Sequence, residues 1–261
     1  MAPSVRAEVA FLNSEWRDRE EMPRIYSRET RLANTSKREV EIHDARPLHE
    51  AGQLHLDRNG FVLTHQVSAV RDFEDKQEVE RVYFSEMQQL AQKLTGADRV
   101  VAFPFYQVRS REPKNFFDAY SLYVHCDFND RYWVKLAQST IRNSGSIENY
   151  PQDQWDYALY NLWRPIEREV QRDPLTLIDK SSVDAADLVA YRLSKSADTT
   201  VAALPLYNEE QRFYYVSRMQ PDEVLVFKQH DTRFPGPQVC PHTSFTDPTS
   251  PENAPERRSI E

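Results

Sequence analysis

The sequence predicts a mainly β protein with flanking α structure, and three observations predict it. From residue 99 onward, short runs rich in Val, Tyr, Phe and Trp follow one another, separated by polar or proline-containing links; many short strands with turn signals point to a sandwich, jelly roll or barrel. Ahead of them, residues 76–95 carry one long apolar stripe at helical spacing. The chain has 261 residues and 39% hydrophobic content, enough for one well-packed domain with a buried pocket. The expected layout is a single domain over 1–261: an N-terminal flank with one long helix over 1–98, then a β core over 99–261.

Residues 1–58 are charged and weakly periodic, and read as extended arms and short strands laid on the core. GFVLTHQVS (60–68) alternates in part and reads as a strand. In the 76–95 helix, Asp75 with Glu78 makes a variant capping box, Asp replacing the usual Ser or Thr. Val79, Val82, Met87, Leu90 and Leu94 form its inner face, and Gly96 sits where a left-handed residue ends a helix well. That stripe is scaffold. The strands to follow are RVVAFPFYQVR, SLYVHCD, DYALYNLWRPI, LTLID, VAALPLY, RFYYVSR and EVLVFK. A second helix is expected over 131–143, before Ser144 and Gly145, and a short one over 183–192 with Ser182 as N-cap. Six prolines, Pro235, Pro237, Pro241, Pro248, Pro251 and Pro255, keep 232–256 from being one element; it reads as loops around a short strand at HTSFTD. No internal repeat and no low-complexity tract occur.

The formal net charge is -8, from 41 acidic and 33 basic residues. A nucleic-acid surface needs clustered positive charge, so nucleic acid is not an expected partner. The two cysteines, Cys126 and Cys240, form no disulfide framework and match no zinc-ribbon spacing. The N-terminus lacks the apolar run of a secretory signal, and no stretch approaches a membrane span. The expectation is a cytoplasmic protein acting on a small molecule, with no membrane partner; a homodimer is left open.

The chemistry-bearing signal begins at Tyr123-Val124-His125-Cys126-Asp127. On a strand, His125 and Asp127 project to one face, which supplies two-thirds of the 2-His-1-carboxylate arrangement that leaves iron with open positions. Alone, His-x-Asp is a weak signal: His43-Asp44 and His230-Asp231 show how readily the two types fall together among seven histidines. The third ligand has to come from a distant strand, and His242, opening HTSFTD, is the candidate; by itself it would pass for an ordinary surface histidine. Farther on, Arg257 and Ser259 share one face of a strand while Arg258 and Ile260 share the other. A guanidinium fork beside a hydroxyl suits a terminal carboxylate. Arg258 reads instead as solvated.

These residues and the text around them resemble the 2-oxoglutarate oxygenase superfamily, and most closely its group of gibberellin desaturase-like and 7α-cephem-methoxylase-like proteins. The resemblance covers most of 43–261. It runs through HDAR (43–46), LDRNGFVLTHQVSAVRDFED (56–75), QVR (107–109), YVHCDFN (123–129), NLWRPIEREVQRDPLTLID (161–179), MQPDEVLVFKQHD (219–231), CPHTSFTDP (240–248) and RRSIE (257–261). It implies a double-stranded β-helix, a jelly-roll or cupin-like core. It also implies Fe(II) held by His125, Asp127 and His242, and the far carboxylate of 2-oxoglutarate gripped by Arg257 and Ser259. Arg109 and Arg164 fall at family-typical polar positions inside the barrel, one of them expected to meet a carboxylate; the competing reading for each is a buried structural ion pair.

Two departures stand out. Relatives run on past the segment matching RRSIE, so a short last strand is expected here, and Phe128 replaces the polar residue expected after His-x-Asp. Cys126 should face away from the metal. The implied reaction is an O2-dependent oxidation of a C–H bond in a small specialised metabolite, by hydroxylation, desaturation or ring closure, with succinate and CO2 as coproducts. Tyr123, Trp163, Tyr214 and Phe227 lie on strands able to line the pocket. A zinc hydrolase using the same ligands has no required role for Arg257 and Ser259; a jelly-roll binding protein with a vestigial metal site has no need of three intact ligands.

Overall fold

The computed structural model describes residues 3–110, 119–128, 130–144, 155–196 and 201–261. β1 (Ser4–Leu12) and β2 (Thr35–Asp44) form an antiparallel ribbon in unbroken register from Ser4↔His43 to Leu12↔Thr35. Val9, Phe11, Val40 and Ile42 point into the core. The opposite face is charged and carries the exposed pairs Arg6–Glu39 and Lys37–Glu8. The N-terminal stretch read as arms and short strands is thus an integral, long-stranded part of a sheet; its charged outer face masks an alternation that Val5, Ala7, Val9 and Phe11 do carry. Between the two strands lies α1 (Arg28–Asn34), opened by a reciprocal Ser27–Thr30 capping box. A short α2 (Arg46–Glu50) and β3 (Phe61–His65) follow.

The long helix is interrupted. α3 (Lys76–Glu78) passes through a π-helical turn, Val79–Tyr83, into α4 (Phe84–Thr95). The wider turn rotates the inner face, so that Tyr83 is buried and Val82 only half-buried. Asp75 caps the backbone N–H groups of Gln77 and Glu78, whereas Glu78 accepts from Asp72 rather than closing the box on Asp75. Gly96 ends the helix at φ 66°.

The remaining elements are β4 (Val108–Arg109), α5 (Asp130–Asn143), β5 (Ala158–Pro165), β6 (Leu175–Ile178), β7 (Leu188–Arg192), β8 (Val201–Pro205), β9 (Phe213–Tyr215), β10 (Glu223–Asp231), β11 (His242–Ser244) and β12 (Ser259–Ile260). α5 matches the expected second helix, and Gly145, read as lying past its end, is outside the described residues. Two readings are corrected. Of RVVAFPFYQVR only Val108 and Arg109 are strand. The stretch 183–192 is an Asp184-capped turn, Ala185–Asp187, followed by β7, because Leu188–Arg192 pairs along its whole length with β8.

Two five-stranded sheets, ordered β1-β2-β9-β6-β11 and β3-β10-β5-β12-β4, make a jelly-roll core, with β7-β8 as a separate ribbon. Phe61, Trp163 and Phe227 of one sheet meet Leu175 and Leu177 of the other in a shared core. The π-helical turn and α4 cover the outer face of the second sheet through Tyr83, Met87 and Leu90 against Val224, Val226 and Ile260. Among the described residues no helix is long and apolar enough to cross a membrane.

Candidate active site

The segment Tyr123–Asp127 is threaded between β11 and β8 by single bridges rather than by a long ladder. His125 N–H donates to the His242 carbonyl at 3.0 Å, and His242 N–H returns to the His125 carbonyl at 2.9 Å. This reciprocal pairing places two histidines directly opposite each other, so their side chains leave the same face. Their ring centroids lie 4.4 Å apart. Cys126, one residue on, is fully buried on the other side against Ala203 and Val239, and Asp127 returns to the histidine face. The metal-binding atoms of His125, Asp127 and His242 all lie within 4.8 Å of one another. Asp127 spans the pair, with Oδ1 at 3.6 Å from His125 Nε2 and Oδ2 at 3.7 Å from His242 Nε2.

Both imidazoles are oriented by the backbone. His125 Nδ1–H donates to the Tyr123 carbonyl at 3.0 Å and His242 Nδ1–H to the Cys240 carbonyl at 3.3 Å. That leaves each Nε2 lone pair directed into the cluster, the tautomer a metal requires. Burial, with His242 close by, pushes the His125 imidazolium down to about 3, so the ring is neutral at ordinary pH. Burial alone would raise Asp127; the two histidines and a hydrogen bond from Asn161 outweigh it and hold the carboxyl below its ordinary value. Two imidazoles and one carboxylate beside one cavity are a donor set that fits ferrous iron.

Two residues not singled out in the sequence join them. Asn161 Nδ2 donates to Asp127 Oδ2 at 2.6 Å and to Glu261 Oε1 at 2.7 Å. Glu261 Oε1 is also 4.0 Å from His242 Nε2, and burial together with the Asp127 charge raises its carboxyl. Both had a signal: Asn161 shares strand parity with the inward-facing Trp163, and Glu261 shares it with Arg257 and Ser259.

Arg257 is 3% exposed and its Nε and Nη1 have no hydrogen-bond partner among the described residues; the same holds for Ser259 Oγ. Its guanidinium lies 4.1 Å from the Tyr120 ring and 5.2 Å from that of Trp163. Burial pulls this arginine down to about 10. A buried cation with two unbonded N–H groups, lining one small cavity with His125, His242 and Ser244, fits a carboxylate ligand.

Arg109 lines that cavity too; its Nε is 3.8 Å from Glu261 Oε2 and its Nη1 donates to the Ala119 carbonyl at 2.8 Å. Arg164 is not brought to the cluster. On β5 it has the parity opposite to Asn161 and Trp163, and its guanidinium is taken by Gln66 at 2.6 Å and by the Pro221 carbonyl. Arg258 pairs with Glu74 and Glu167 on the outside. Of the aromatic candidates, Phe227 packs edge-on to His242 at 4.8 Å and Tyr123 lies 5.2 Å from His125, Trp163 lines the small cavity, and Tyr214 packs on Phe61 and His43 in the scaffold. A second, wide cavity of about 2080 Å³ is lined by His125 and Asp127 and shares Arg109, Ser121 and Glu261 with the small one. Phe128 lines it, stacked edge-on against Phe103.

The jelly roll and the His-x-Asp…His cluster with its buried arginine together define a class, the Fe(II)/2-oxoglutarate oxygenases. A family model described as "Oxidoreductase/YMDC permease-like domain" matches residues 11–261, and the chain belongs to that family. It is 28% identical over 236 residues to the Fe(II)/2-oxoglutarate-dependent dioxygenase nvfI of Aspergillus novofumigatus, covering 87% of this chain and 82% of that one. It is 29% identical over 253 residues to the hydroxylase/desaturase efuI of Hormonema carpetanum, covering 85% and 81%. Among solved structures, the iron and alpha-ketoglutarate-dependent endoperoxidase NvfI superposes with a TM-score of 0.82 at 26% identity, over 98% of this chain and 95% of that one.

Proposed function

We propose that this enzyme uses Fe(II), 2-oxoglutarate and O2 to oxidise a C–H bond of a small specialised metabolite. The observation that carries the reading is the buried Arg257 guanidinium, whose Nε and Nη1 have no hydrogen-bond partner among the described residues and which lines the same small cavity as His125 and His242. In this reading His125, Asp127 and His242 hold the iron, and Arg257 and Ser259 hold the far carboxylate of 2-oxoglutarate. Iron and cosubstrate, when bound, supply the oxidising power and release succinate and CO2.

The chain's own groups position and protect. The Tyr123 and Cys240 carbonyls fix the two imidazole tautomers, and Asn161 holds Asp127 in place. Trp163 and Leu175 line the cosubstrate cavity, Phe227 packs behind His242 and Tyr120 covers Arg257; this apolar surface keeps water from the reacting atoms. Arg109 is proposed as a further positive group at the junction of the two cavities, whereas the partners of Arg164 favour a structural role. Hydroxylation, desaturation and ring closure all begin by removing a hydrogen atom from the substrate, and the wide cavity, by placing the target carbon, selects among them.

The test is anaerobic addition of Fe(II) and then 2-oxoglutarate. The expected result is a visible charge-transfer band that His125→Ala and Asp127→Ala abolish. A band that survives both substitutions overturns the ligand assignment.

A further inference from the structure

The wide cavity carries a polar feature that the oxidation chemistry leaves unused. At one end of it, Tyr123 and Tyr191 bring their hydroxyls to 3.5 Å of each other, both side chains being buried. Arg31, on α1, lines the same cavity and has no acidic partner among the described residues. α1 is carried to this position by the segment before it, which pairs with the end of β7: Ile25 N–H donates to the Arg192 carbonyl at 2.9 Å, and Arg192 N–H to the Pro23 carbonyl at 3.0 Å. Arg31, Tyr123 and Tyr191 all line this one cavity. Burial, with the Arg28 charge adding to it, pulls Arg31 down from its ordinary value.

A half-buried cation with no counter-ion among the described residues carries a desolvation penalty, and a carboxylate relieves it. Most of the remaining wall is apolar, including Phe103, Phe105, Leu122, Leu136, Ile141 and Leu159. The Tyr123 ring connects the two ends, since it is 5.2 Å from His125.

We propose that Arg31, with the Tyr123 and Tyr191 hydroxyls, forms an anion subsite that anchors a carboxylate on a bulky, largely apolar substrate. The guanidinium fork takes both carboxylate oxygens and a tyrosine hydroxyl donates to one of them. The hydrocarbon skeleton then runs along the apolar wall toward His125 and Asp127. This inference rests on the proposed oxygenase reading for the direction in which the skeleton points, and adds the class of substrate to it.

The test uses protein without iron, so that it does not depend on the metal assignment. Matched pairs of carboxylic acid and methyl ester, namely decanoic, abietic and oleanolic acids, are titrated by calorimetry against wild type, Arg31→Gln, Arg31→Lys and Tyr191→Phe. At least one acid is expected to bind about ten-fold or more tighter than its ester, the size of a charge-assisted hydrogen bond. Arg31→Gln should erase that preference, Arg31→Lys should keep part of it through charge alone, and Tyr191→Phe should weaken it. If no acid outbinds its ester, or if Arg31→Gln keeps the full preference, the subsite does not exist. Failure of the oxygenase reading shows separately, as the absence of the Fe(II)–2-oxoglutarate band in wild type.

Discussion

Arg257→Met separates a binding arginine from a structural one by the sign of its effect. In the protein without cosubstrate, the Arg257 guanidinium is buried and pulled down to about 10 from 12.5. At 1.36 kcal/mol per unit of pKa, that corresponds to roughly 3 kcal/mol of destabilisation. The sign follows from the depressed value of a base: the folded state disfavours the charged form, so the penalty is full below about pH 10 and fades as the group deprotonates above it. The faces of Tyr120 and Trp163, at 4.1 and 5.2 Å, offset about 1 kcal/mol. Replacing the cation with an apolar side chain of similar length should therefore stabilise the ligand-free protein by about 2 kcal/mol, a rise in Tm of about 4 °C for a chain of this size. Adding 2-oxoglutarate to the anaerobic Fe(II) form at about 100 times its Kd should then stabilise the wild type by about 2.7 kcal/mol. The variant should not respond. Thermal melts of both proteins, with Fe(II) alone and with Fe(II) plus cosubstrate, give all the numbers. A variant that melts lower than wild type without ligand, or that shifts equally with 2-oxoglutarate, refutes the reasoning.

Three further outcomes follow from other parts of the structure. Asn161→Leu removes the amide that orients Asp127 and should weaken Fe(II) binding by about ten- to a hundred-fold, read by anaerobic titration; unchanged affinity would show that the amide is dispensable. Asp231 is held down to about 2 by Arg233 and Lys228 against an ordinary 3.8, so the stability it contributes is present above pH 3.8 and lost as the pH falls toward 2. Asp231→Asn should lower stability at pH 7 by about 2 kcal/mol and flatten that acid limb, with urea midpoints across the range as the check. Gly60 sits at φ 85°, and an added Cβ would lie 2.5 Å from Cys240 Sγ; Gly60→Ala should destabilise by about 1–3 kcal/mol in chemical denaturation, and a neutral effect would mean that the β3 entry can shift.

What the sequence determined by itself was local and periodic. Parity placed His125 with Asp127 and Arg257 with Ser259, because side chains on an extended chain alternate whatever the fold. The Asp75 cap and Gly96 marked the ends of the long helix, since both depend on backbone geometry within one turn. The jelly-roll class and the metal-ligand types were readable as a resemblance carried by several ordered segments. What only the tertiary structure decided depended on partners distant in sequence. The reciprocal bridge between His125 and His242 makes one cluster from two stretches. Arg109 and Arg164, alike as text, end on opposite sides of a sheet because pairing of β5 with β10 and β12 fixes which face of β5 is inward. Asn161 acquires its role only when Asp127 and Glu261 arrive beside it from opposite directions along the chain. Residues 183–192 become strand rather than helix because β8 offers a ladder, and a pairing partner outweighs the weak preference of a short segment.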